Sequence, residues 1–140
     1  KTKMIGCSGT LSHLQPPEWK ILERYGLTSC SLMPSVYGAA NFKEEPFMAV
    51  SDADHHVTIA REIAKNIARD RAVIVFFADS QKLSEFEKSS HFRKFTKREC
   101  LRETQTHIEK EAVIKKATTA GQVTLSTAVF GRGTDFFCND

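Results

Sequence analysis

One cation, one hydroxyl and one carboxylate lie within four residues near the end of the chain, in Gly131-Arg132-Gly133-Thr134-Asp135. Glycines flank the arginine. They allow a sharp backbone turn and a close approach to a ligand. A guanidinium so placed can offer a fork of donors to phosphate oxygens, and a nearby carboxylate can accept from a ribose hydroxyl or hold water. The plain alternative is a connection, because glycine and aspartate dominate ordinary turns.

The element that must position this loop precedes it directly. In Gln122–Val129, Val123, Leu125, Thr127 and Val129 alternate with Thr124, Ser126 and Ala128, a strand period. In an open parallel sheet, ligands bind beyond the carboxyl ends of the strands. A strand running into this loop therefore sets Arg132 and Asp135 where a nucleotide would be read. Ala72–Ala78, AVIVFFA, is a continuous apolar run that predicts a second strand, buried on both faces of a parallel sheet. Both strands are expected to be central.

The longer string Thr127-x-x-x-Gly131-Arg132-Gly133-Thr134-Asp135, led by Val-Thr-Leu-Ser-Thr, resembles the fifth motif of the DEAD-type helicase superfamily, in the form found in SecA ATPases. Glu111-Ala112, Ile114 and Ala120-Gly121 are similar to the run before that motif in the SecA family. Ser8-Gly9-Thr10 resembles the Thr-Gly-Thr found there at the seam between two RecA-like lobes. Met33-Pro34-Ser35 stands where the family has Ile-Pro-Thr, and the basic residues that follow in the family are missing from Val36–Ala40. Phe76-Phe77 replace a Gly-Thr at a strand end.

The resemblance implies a RecA-like α/β fold with a largely parallel sheet flanked by helices. Residues 1–10 would be the seam with the preceding lobe. Residues 11–140 would be a second RecA-like lobe, cut before the sixth motif. It implies half of a composite ATP site, with Arg132 near the γ-phosphate as the catalytic residue. Gly131, Gly133, Thr134 and Asp135 would contact the nucleotide, with Asp135 near the ribose or its water. Ser8, Gly9, Thr10 and Thr127 would couple the lobes. ATP and Mg2+ would belong to the complete protein, and this chain alone would bind neither tightly. Its partners would be the first lobe, a polypeptide substrate and a membrane translocation channel, in the cytoplasm or peripheral at a membrane. Two alternatives stay open. One is the C-terminal lobe of an RNA helicase, with RNA against Thr127 and the basic stretch Arg93–Arg102. The other is an inactive protein-binding adaptor built on the same lobe.

Two features needed for a complete ATPase are missing from the sequence. There is no Gly-x-x-x-x-Gly-Lys-Ser/Thr loop to cradle phosphates, and no Asp-Glu-x-Asp pair to hold Mg2+. Isolated ATP hydrolysis is therefore not expected.

The bounds are ordinary. At 140 residues, 41% hydrophobic and 26% charged, the chain suits one soluble domain. A net charge of +3 does not by itself imply nucleic acid. Cys7, Cys30, Cys100 and Cys138 lack metal or disulfide spacing and read as reduced thiols. The longest apolar run is too short to span a membrane, and the opening residues do not read as a signal peptide.

Helices are expected over Pro16–Tyr25 closed by Gly26, Asp54–Arg69 started at Ser51-Asp52, a polar stretch from Asp79 to Ser90, and Ile108–Ala120 closed by Gly121. Further strands are expected near the N-terminus, over Leu27–Met33 and over Phe47–Val50. Trp19 reads as an anchor in the core or at a lobe interface. His55 and His56 are adjacent, so on a helix they do not face one ligand; a solvent-exposed pair is expected, with no metal. His91–Thr104 carries Arg93, Lys94, Lys97, Arg98 and Arg102 around Phe92 and Phe95. It reads as a surface stretch with its two phenylalanines packed inward, and it has room for a hidden strand.

Overall fold

The structure, a computed structural model, describes residues 4–9, 11, 14–34, 36 and 43–138. Two units emerge, Lys1–Pro46 and Phe47–Asp140.

Among its described residues the first unit carries one α-helix, α1 (Pro16–Arg24). Two prolines preset its first turn, and the Gln15 backbone N–H donates to the Glu18 carboxylate at 2.7 Å. Gly26 closes it, as the sequence predicts, at φ +78°. The Gly26 and Leu27 N–H groups donate to the carbonyls of Glu23 and Leu22, a complete Schellman stop. No residue of α1 is buried, so Trp19 is half-buried and anchors no core within this unit. The strand expected over Leu27–Met33 does not form, nor does one over residues 4–8. An extended segment becomes a strand only where a neighbour takes up its backbone groups, and Leu32 and Met33 stand almost fully exposed.

The second unit is a small α/β domain. Its order is α2 (Asp52–Ile67), β1 (Val73–Phe77), α3 (Ser80–Lys88), α4 (Ser90–Arg93), β2 (Arg98–Cys100), α5 (His107–Ala117) and β3 (Val123–Thr127), then a 3-10 turn over Ala128–Gly131. Each longer helix of this unit starts on a capping side chain; the sequence offered only the first of them. Ser51 accepts from the Asp54 N–H, Asp79 from the Lys82 N–H, and Thr106 from the Glu109 N–H. Helix α5 ends earlier than Gly121 requires. Its cap is Thr118, and Gly121, at φ +72°, instead turns the chain into β3. Phe47–Val50 forms no strand.

The sheet is open, all parallel and three-stranded, in the order β1-β3-β2. Val73 pairs with Val123 and Phe77 with Thr127 on one side; Arg98 pairs with Val123 and Cys100 with Leu125 on the other. Strand β3 is central and buried at every position, as its sequence predicts, but it stops at Thr127: Ala128 and Val129 turn out of it into the 3-10 turn, and Val129 is 62% exposed. Strand β1 is not central: among the described residues it is an edge, half-buried, with Phe76 45% exposed. Strand β2 is the one hidden in the basic stretch.

Alternation along β3 divides the layers. Val123 and Leu125, with Phe77 of β1, face a core of Ala60 and Ile63 from α2, Leu83 and Phe86 from α3, Phe92 from α4, and Phe95. Phe86 is its hub, with ring centroids 5.6 Å from Phe77 and 5.7 Å from Phe92. Helix α5 covers the other face, against β2 and β3, through buried Val113 and Ala117.

Candidate functional site

The chain leaves β1 for α3 on one face of the sheet and leaves β2 for α5 on the other. Strand β3 lies between them. Its carboxyl end is thus where the connections diverge, the place at which an open α/β sheet forms a crevice. Thr127 and the Gly131–Asp135 loop stand at that end.

The loop is pinned on both sides. Before it, Lys110 of α5 lies with its Nζ 5.8 Å from the Phe130 ring centroid. After it, Phe136 packs edge-on against Phe76 at 6.4 Å, and the Thr118 hydroxyl donates to the Phe137 carbonyl at 2.7 Å. Between these anchors Gly131, Arg132, Gly133 and Asp135 are exposed and Thr134 is half-buried. Arg132 has extended backbone, φ −133° and ψ 143°. Neither Arg132 nor Asp135 has a hydrogen bond or an ion pair among the described residues. Both charges face water on a tethered loop.

The two glycines differ. Gly133 adopts φ +71°, where a β-carbon is strained. Gly131 has no left-handed φ, and a β-carbon built on it meets nothing within 4 Å. The turn itself needs glycine at 133 only.

Thr127 is 4% exposed, and its hydroxyl lies 3.5 Å from a Glu103 carboxylate oxygen, a contact at the limit of hydrogen bonding. Glu103 sits in the β2–α5 loop. Nothing in its own neighbourhood marks it; only the parallel pairing of β2 with β3 brings it to the strand end. Thr124 and Ser126 of the same strand are fully buried, and their hydroxyls have no partner among the described residues.

Ser8 and Gly9 are exposed and belong to the first unit. Thr10 lies outside the described residues, as do Ser35 and residues 37–40 of the loop read after Pro34.

The basic stretch is largely structural. Phe92 and Phe95 pack inward, as their sequence predicts. Arg98 donates from Nη1 to the carbonyls of Arg93 and Phe95, at 3.3 and 2.6 Å. Arg102 pairs with Glu87 at 2.5 Å and reaches the Ser84 hydroxyl. The Cys100 thiol donates to Glu87 at 3.1 Å. Burial first, then that bond, pushes its pKa up to about 12, so it is a thiol and not a nucleophile at neutral pH.

Among the described residues no group of three potential ligands could hold a metal. His55 is exposed, while His56 is half-buried with its ring 5.3 Å from that of Phe86. The described carboxylates at the carboxyl edge do not form a Mg2+ set: Asp79 caps α3, Glu103 lies against Thr127, and Asp135 is the remaining one. No described helix is long and apolar enough to cross a membrane. No protein-family model matches the chain, and no curated protein sequence matches it either.

Proposed function

We propose that the chain is the second RecA-like lobe of a SecA-like translocation ATPase and supplies half of a composite ATP site. The observation that carries this reading is Arg132, exposed and without a partner among the described residues, on a pinned loop at the carboxyl end of the central strand. A cation held there at no internal task is available to charge that develops on a phosphoryl group. Asp135 beside it suits a ribose hydroxyl or a water. Gly131 adds support, because the turn does not require glycine there and close approach by a ligand would. Mg2+ and the phosphate cradle belong to the first lobe in this reading; among the described residues no group of three ligands could hold a metal.

If Arg132 acts only when the lobes close, it serves the transition state more than ground-state binding. Loss of one such contact is worth about 3–4 kcal/mol, or roughly a hundred- to thousand-fold in rate. In the two-lobe protein, Arg132→Lys should therefore cut ATP turnover heavily and change ATP affinity little. The melting temperature should hold, because an exposed, unpaired loop arginine carries no packing. Unchanged turnover would remove Arg132 from the site. A large fall in melting temperature would make it structural.

A further inference from the structure

A hollow of about 520 Å³ lies on the outer edge of β2, and none of Thr127–Asp135 lines it. Lys88, Arg93, Arg98 and Arg102 border it, together with the carboxylates of Glu87 and Glu99. Both carboxylates are engaged. Glu87 takes Arg102 and the Cys100 thiol, and Glu99 takes Lys116 of α5 at 3.2 Å. Lys88, Arg93 and Arg98 have no carboxylate partner among the described residues. Arg98 is also preset: its Nη1 holds two carbonyls, while Nη2 and Nε make no hydrogen bond among the described residues. A guanidinium anchored by one nitrogen presents the rest of its fork at little entropic cost.

Three uncompensated cations around one concavity repel one another, and a multiply charged anion would relieve that repulsion. A carboxylate supplies one charge. A phosphate monoester supplies nearly two, with three acceptor oxygens to meet three donors. The volume is that of a small-molecule site. We propose that this hollow binds the phosphate monoester group of a small ligand, independently of any nucleotide at Arg132.

The test is an amide NMR titration of the 140-residue chain with inorganic phosphate at low salt, with acetate and a short single-stranded RNA as separate arms. Saturable shifts are expected at Lys88, Arg93 and Arg98, with a Kd below roughly 10 mM, and acetate should bind at least about tenfold more weakly. The double variant Lys88→Gln/Arg93→Gln should raise that Kd about tenfold or more. Both side chains are exposed and unpaired, so its circular dichroism should match wild type. Arg132→Lys should leave the phosphate-induced shifts at Lys88, Arg93 and Arg98 unchanged, since Arg132 does not line the hollow. No saturation, equal response to acetate, or an unaltered double variant would each overturn the proposal. Tight RNA binding with no phosphate response would also overturn it, in favour of a nucleic-acid surface.

Discussion

Replacing Gly131 and Gly133 by alanine, one at a time, should move stability in opposite directions. Gly133 sits at φ +71°, where a β-carbon crowds the following carbonyl, so Gly133→Ala should cost about 1–2 kcal/mol. Gly131 ends a 3-10 turn with an ordinary φ and open space around the missing β-carbon. Alanine there removes unfolded-state freedom without a clash and should stabilise by about 0.4–1 kcal/mol. In a domain of this size each kcal/mol shifts the melting temperature by roughly 4–8 °C. The two variants should therefore part by about 6 °C or more, in thermal or urea melts of the chain. On the reading proposed above, the same Gly131→Ala in a two-lobe protein should lower ATP turnover despite the added stability, since its methyl would stand where the nucleotide is proposed to come close. Equal destabilisation by both substitutions would refute the claim that the turn needs glycine at 133 alone. A stabilised Gly131→Ala with full turnover would refute close approach.

Thr124→Val replaces a fully buried, unpartnered hydroxyl by a methyl of similar shape, and should raise stability by about 1 kcal/mol in a urea melt. At pH 8–9, iodoacetamide should label exposed Cys7, Cys30 and Cys138 well before Cys100, whose thiol is raised from 9.0 to about 12. A raised thiol favours the folded state fully below pH 9 and loses that advantage as pH climbs towards 12, so Cys100→Ser should flatten stability across that window. The Glu109 carboxyl is held below its ordinary 4.5, chiefly by the Thr106 backbone N–H. Its support for α5 is present above that value and fades as pH falls further; a Glu109→Gln variant should lack that acid-side loss in a pH series of melts.

The helices of the second unit were written locally. Ser51, Asp79 and Thr106 begin them by bonding to N–H groups three residues on, so a short window of sequence contains both partners. The candidate loop was legible for a similar reason: Thr127 and Gly131–Asp135 are contiguous, and strand β3 announces itself by apolar alternation. Strand pairing is a different matter, because each backbone group needs a partner far away in sequence. Leu27–Met33 and Phe47–Val50 have strand-like composition and form none, whereas Arg98–Cys100, charged and unpromising, becomes β2 because Val123–Leu125 lies beside it. Among the described residues, the same non-local pairing set β1 at the edge, left the Thr124 and Ser126 hydroxyls buried without partners, and brought Glu103 to Thr127 across 24 residues. What a residue does with its immediate neighbours could be read from the chain; which strand lies next to which, and so which side chains share the end of the sheet, is decided only when distant segments meet.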